Sequence, residues 1–253
     1  MIVKSKLLFI LSFFTCLSCT TINLERKVEP PLKSYVKVYH TVSIESCHKK
    51  YTDTCPIGEY QSMGSGMLVD FIEDQSIVVT AGHVCTAEVN QKISKYSEVI
   101  TVLDFKGFKH AGYVIKSTEN DSKGGVDMCA LWVPTLKQKG ITFSRFPPRA
   151  GQEIYYIGSP QGIYHPPVAP ILTGIYSGQM NVSNALVSVP ATSGSSGSAI
   201  LDMNNKMVGV LWAAHEFHHV SIATSWHASA LFLYEVTKMY NGKSKLKIGP
   251  IKN

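Results

Sequence analysis

Thr192-Ser193-Gly194-Ser195-Ser196-Gly197-Ser198-Ala199-Ile200-Leu201 is small and polar for seven residues and then turns apolar. Small residues on both sides of Ser196 let a backbone turn sharply and approach a substrate closely. Gly194 can take a positive φ that aims its N–H at a developing oxyanion. Taken alone, the run also fits a flexible surface loop, since Ser/Gly-rich segments commonly form loops. The upstream residues decide between the two readings.

Thr80-Ala81-Gly82-His83-Val84 follows the apolar run Ile77-Val78-Val79. A histidine where a buried strand gives way to a turn is held rigidly while its imidazole reaches the surface, which suits a general base. Asp127 stands before the nearly continuous apolar segment Met128 to Val133. An acid entering a core needs a partner. Each residue has a plain alternative, an exposed histidine and a turn aspartate, so it is the combination His83, Asp127, Ser196 that carries information.

Strand-like segments recur along the chain with turn residues between them: Ser34 to Val42, Gly64 to Asp70, Gln75 to Thr80, Val99 to Leu103, Ala111 to Ile115 and Asp127 to Val133. After a crossing segment from Pro134 to Pro148 the pattern restarts with Glu153 to Gly158, Ile171 to Gly178, Ala185 to Val189, Ser198 to Asp202 and Met207 to Trp212. Two strand-rich halves with no long helical period between them indicate an all-β fold. Three- and four-residue apolar steps between Ala228 and Tyr240, with Asn241-Gly242 as a stop, predict one terminal helix over 228–240.

The order His83, Asp127, Ser196, with these flanks, resembles the chymotrypsin-like (trypsin-like) serine proteases. Gly64-Ser65-Gly66-Met67-Leu68-Val69, Thr80-Ala81-Gly82-His83, Asp127-Met128-Cys129-Ala130-Leu131 and Gly194 to Ala199 are similar to successive blocks of that family. Ile157 to Gly162 and Leu172 to Gly178 look like second-barrel segments of the bacterial HtrA and glutamyl endopeptidase branches. The resemblance implies two antiparallel six-stranded β-barrels, with the first over about 34–134, the second over about 149–226, and the active site between them. It implies a serine endopeptidase acting on polypeptides through an acyl-enzyme, with Ser196 as nucleophile, His83 as base and Asp127 as its orienter. The N–H groups of Gly194 and Ser196 would form the oxyanion hole. By the same resemblance, Pro190, Ala191, Thr192, Leu211, Trp212 and Ala213 would contact substrate. The competing readings are a catalytically silent binding module of the same fold and a surface adhesion domain.

Departures from the family pattern refine these expectations. Ser195 stands where trypsin-like zymogens carry an aspartate, so activation by a buried new N-terminus is not expected. Pro190 occupies the position of trypsin's pocket acid and Leu211 that of the glutamyl endopeptidases' histidine. A small or apolar substrate side chain is therefore expected, rather than Lys, Arg or Glu. Ala213 and Ala214 replace glycines beside the extended substrate. The chain ends soon after the domain, and no peptide-binding domain of the HtrA kind is expected to follow.

Residues 1–19 read as a signal peptide: Lys4 and Lys6 precede an apolar run from Leu7 to about Ser18 that is short for a permanent membrane span. Cys16-Leu17-Ser18-Cys19 resembles a bacterial lipoprotein signal, making Cys19 a candidate membrane tether, with cleavage nearby as the alternative. Residues 20–33 form a polar linker containing Pro30-Pro31, and 34–253 the protease domain. The expected location is secreted or periplasmic. There, Cys47, Cys55, Cys85 and Cys129 allow three disulfide pairings. The short polar loop between Cys47 and Cys55 suits a local bridge, which leaves Cys85 with Cys129. Zinc is disfavoured because no Cys-x-x-Cys pair occurs, and His215, His218 and His219 with Glu216 read as an exposed turn rather than a metal site. No cofactor is expected. The net charge of +6 sits largely at the chain ends, with no basic stripe and stacking aromatics of a nucleic-acid binder.

Overall fold

The computed structural model describes residues 29–72, 75–87, 91–119, 126–215 and 219–241. The signal peptide, Cys19, most of the linker, Glu216, His218 and the basic C-terminal segment lie outside the described residues. Twelve strands form two closed antiparallel barrels of six. The first contains β1 (Tyr35–Cys47), β2 (Gly58–Ile72), β3 (Gln75–Thr80), β4 (Ile93–Leu103), β5 (Lys109–Thr118) and β6 (Met128–Trp132). The second contains β7 (Glu153–Ile157), β8 (Ile171–Gln179), β9 (Asn184–Val187), β10 (Ala199–Asp202), β11 (Met207–Ala214) and β12 (Ser221–Thr224). A short helix, α1 (Gly82–Cys85), follows β3, and α2 (Trp226–Asn241) closes the chain. The all-β two-barrel architecture read from the sequence is therefore the architecture of the molecule.

The apolar runs are nearly continuous because several strands are buried on both faces. Val36, Val38, Leu68, Val78, Val102 and Leu131 fill the first barrel, and Ile154, Tyr156, Val187, Ile200, Val208 and Leu211 the second. Their alternate neighbours Tyr35, Met67, Val69, Val79, Tyr155, Ile157, Leu201 and Val210 point the other way and form a third cluster. That cluster joins the two barrels and receives Phe232, Leu233 and Val236 of α2. The period-2 geometry of a strand thus supplies both the barrel interior and the inter-barrel wall.

The crossing segment is anchored near its middle to both barrels, with Ile141 bridging Val69 of the first and Phe143 bridging Met207 of the second. Helix α2 begins at Trp226, two residues before the periodicity places it, because Ser225 caps it: its Oγ accepts the Ala228 N–H at 3.1 Å. Strand β12 was not among the expected segments. Cys47 faces Cys55 and Cys85 faces Cys129 as disulfide pairs, with Cα atoms 5.8 and 6.4 Å apart.

Candidate active site

The His83-bearing and Asp127-bearing segments are neighbours because β3 and β6 pair antiparallel, Thr80 opposite Cys129. The end of β3 therefore meets the start of β6. Gly82 permits the tight approach: a Cβ there would stand 1.9 Å from Thr118 O and 3.2 Å from Asp127 Oδ1. Asp127 Oδ1 accepts the His83 main-chain N–H at 3.1 Å, and His83 Nδ1 lies 3.1 and 3.0 Å from the two carboxylate oxygens. A carboxylate can only accept, so Nδ1 carries a proton, and in the neutral ring Nε2 is left with its lone pair. The acid is buried, its side chain 6 % exposed against 43 % for the imidazole. The ring therefore has one anchored edge, and the side chain is otherwise part-exposed.

The Ser196 loop consists of two successive turns, with the N–H of Ser195 donating to Thr192 O at 2.9 Å and that of Ser198 to Ser195 O at 3.1 Å. Gly194 and Gly197 both take φ +88°, a region where side chains are disfavoured. A Cβ on Gly197 would lie 2.1 Å from both Ser65 O and Thr80 Oγ1, so this backbone rests directly on the first barrel beside the His83 turn. Ser196 O accepts the Ser65 N–H at 2.7 Å. Ser196 Oγ points to Trp212 O at 3.4 Å and makes no hydrogen bond with His83.

The carbonyl of Ser193 is taken by the Gln161 N–H at 2.7 Å. In a trans peptide the N–H lies opposite the C=O, so the Gly194 N–H is turned the other way. Neither it nor the Ser196 N–H has an acceptor among the described residues. Two unengaged backbone donors, two residues apart in a tight loop, are free to donate to an anionic oxygen.

An open cavity of about 320 Å³ adjoins this loop. Ala191, Thr192, Leu211, Trp212 and Ala213, all expected at the substrate, line it together with Ser193, Ser195, Ser196, Ala214 and His215. Pro190 is not among its lining residues. Its carbonyl accepts the Tyr156 hydroxyl at 2.7 Å, turning that segment toward the barrel interior. Tyr156 also meets Ser195 Oγ at 3.2 Å, and burial pushes the Tyr156 pKa up, opposed by that hydroxyl contact. Ser195, 1 % exposed, thus replaces a buried acid with a neutral hydroxyl network.

The family model for the trypsin-like peptidase domain matches residues 64–210, more than half of the 253-residue chain. The chain belongs to the trypsin-like peptidase family. Its serine peptidase fold is shared with the active form of the Rv3671c protease from M. tuberculosis, at 17 % identity, TM-score 0.60, and 81 % of this chain and 84 % of that one covered. The serine endoprotease from Yersinia pestis is similar at 19 % identity and TM-score 0.57, covering 83 % of this peptidase and 64 % of the other chain. No curated protein is significantly similar to the peptidase in sequence. Among the described residues no cluster of three or more His, Cys, Asp or Glu could hold a metal ion. No described helix is long and apolar enough to cross a membrane.

Proposed function

We propose that the peptidase is an exported serine endopeptidase in which Ser196, His83 and Asp127 form the catalytic triad. The observation that carries this reading is the clasp of His83 Nδ1 by the buried Asp127 carboxylate, which leaves Nε2 as the free base at the cleft. The mechanism requires the Ser196 side chain to turn away from Trp212 O toward Nε2 as substrate enters; apo geometries often tighten in this way. Oγ then attacks the scissile carbonyl while Nε2 takes its proton, and the C–N bond breaks as Nε2 returns that proton to the amine. Water repeats the sequence to release the acyl group. Asp127 keeps the imidazole in the correct tautomer and stabilises the imidazolium. The Gly194 and Ser196 N–H groups hold the oxyanion, each contributing about 3 kcal/mol.

The cavity lining has no Asp, Glu, Lys or Arg and is made of Ala, Thr, Ser and Leu residues with Trp212 and His215. A charged substrate side chain would lose hydration there without gaining a carboxylate, ammonium or guanidinium partner. Small or apolar side chains are the proposed preference at the cleaved residue. Export through residues 1–19, a lipid tether at Cys19 and oxidation of both cysteine pairs complete the reading; a reduced-versus-nonreduced mass of the exported protein tests the last. Cleavage-site profiling on a peptide library tests the enzymatic claim. Hydrolysis after small or apolar residues, abolished in Ser196→Ala, is expected. Activity persisting in that variant would overturn it.

A further inference from the structure

We propose that Ser65, on strand β2 of the first barrel, is the positioning residue of the oxyanion hole. The proposal rests on the serine peptidase reading of Ser196. Four consecutive peptide units make up the Ser193 to Gly197 stretch, and their hydrogen bonds alternate. The Ser193–Gly194 and Ser195–Ser196 units are held only by their carbonyls, which accept from Gln161 N and Ser198 N. Their N–H groups, the two oxyanion donors, are free. The two other units are held at both ends. Gly194 C=O accepts Ser65 Oγ at 2.8 Å while the Ser195 N–H donates to Thr192 O at 2.9 Å. Ser196 C=O accepts the Ser65 N–H at 2.7 Å while the Gly197 N–H donates to Leu211 O at 2.7 Å. Ser65 alone therefore grips the carbonyls of both residues that supply an oxyanion donor.

The direction of its hydroxyl is fixed by its neighbours. Ser159 N–H donates to Ser65 Oγ at 2.9 Å, and of the two acceptors in reach, Gly194 O at 2.8 Å and Ser159 Oγ at 3.3 Å, the Ser65 proton goes to the nearer, the carbonyl. The contact joins the barrels across 129 residues of sequence, with Ser65 completely buried. Gly194 is the point at which the hold matters. With no Cβ and φ +88°, its flanking peptide units rotate at little cost, and rotation of the unit between the two donors is opposed at its carbonyl by the Ser65 hydroxyl and the longer 3.3 Å contact from Ser159 Oγ, and at its N–H by the bond to Thr192 O. A Gly194 N–H that leaves its aim no longer meets the oxyanion, whereas substrate side-chain binding in the adjoining cavity is unaffected. Loss of the hydroxyl should appear in the transition state and not in ground-state binding.

Ser65→Ala tests this by steady-state hydrolysis of a fluorogenic peptide and by inhibition with a peptide aldehyde, whose adduct carries the oxyanion. The expected result is a kcat lower by roughly 10- to 100-fold, KM within about threefold, and aldehyde affinity weakened by the same factor as kcat. Ser229→Ala, which removes a fully buried hydroxyl bonded to Ser225 O at 2.8 Å within α2, controls for loss of stability and should leave kcat unchanged. If Ser65→Ala does not fold, Ser65→Cys, of similar size and a weaker donor, carries the same measurements with a smaller loss expected. Unchanged kcat in a folded variant overturns the role of Ser65, as does a fall in kcat matched by Ser229→Ala. A wild-type protein that neither hydrolyses peptide nor reacts with a fluorophosphonate overturns the peptidase reading, and the role of Ser65 with it.

Discussion

Replacing Asp127 by Asn should disable the enzyme without unfolding it. The Asn side chain is isosteric, and its Oδ1 can still accept the His83 main-chain N–H that Asp127 Oδ1 now takes at 3.1 Å. The amide nitrogen then faces Nδ1, which must become an acceptor. The ring proton moves to Nε2, and the base is lost. The electrostatic part follows from the 3.0 Å separation of His83 Nδ1 and Asp127 Oδ2. At an effective dielectric of about 20, a unit charge pair at that distance is worth about 5.5 kcal/mol. The imidazole is 43 % exposed, so solvent screens part of this. At 1.36 kcal/mol per tenfold change, the screened value corresponds to a fall in kcat of about 10³- to 10⁴-fold. Stopped or continuous assay of peptide hydrolysis at neutral pH measures it, with thermal unfolding as a control. A folded Asn variant retaining more than a tenth of wild-type kcat would refute the assignment of Asp127.

Three further perturbations probe the scaffold. Gly151 and Gly197 both have positive φ, but a Cβ at Gly151 meets nothing within 4 Å whereas at Gly197 it meets Ser65 O and Thr80 Oγ1 at 2.1 Å; Gly151→Ala should cost about 1–2 kcal/mol in urea unfolding, and Gly197→Ala more than about 3, with equal losses contradicting the packing argument. Burial pushes the Tyr35 pKa up to about 12, against the lowering effect of the neighbouring Ser159 and Ser65 hydroxyls. The neutral phenol is thus favoured in the folded state, and stability present below pH 10 should fall by about 1.4 kcal/mol per pH unit between 10 and 12; Tyr35→Phe should remove that component, and an unchanged alkaline slope would count against it. By loop-closure entropy, breaking the Cys85–Cys129 pair, with a sequence separation of 44, should cost about 4 kcal/mol. The Cys47–Cys55 pair, with a separation of 8, should cost about 2.6 kcal/mol; equilibrium unfolding of the two double-serine variants checks the order.

The long apolar alternations of β1, β2, β7 and β11 were legible in the sequence because burial on two faces leaves a strong local signature. Strand β12 was not, since Ser221–Thr224 is four residues long and is defined by its pairing with β9 and β11 rather than by its own composition. The helix start was displaced because the Ser225 cap outweighs the apolar period that begins later. At the site, residue order singled out His83, Asp127 and Ser196, whereas orientation was hidden. Position relative to Ser196 says nothing of what holds Pro190, whose carbonyl accepts the Tyr156 hydroxyl. Ser65 read as one residue of a glycine-flanked strand. Its bond to Gly194 depends on closure of two barrels, a tertiary event with no local trace.

The central claim, that Ser196 is a nucleophile activated by His83, is tested most directly by reaction with a fluorophosphonate followed by intact and peptide mass measurement. One phosphonyl adduct on Ser196 is expected, absent in Ser196→Ala and formed far more slowly in His83→Ala. A folded protein that stays unmodified, or one modified at Ser193 or Ser195 instead, would contradict the account.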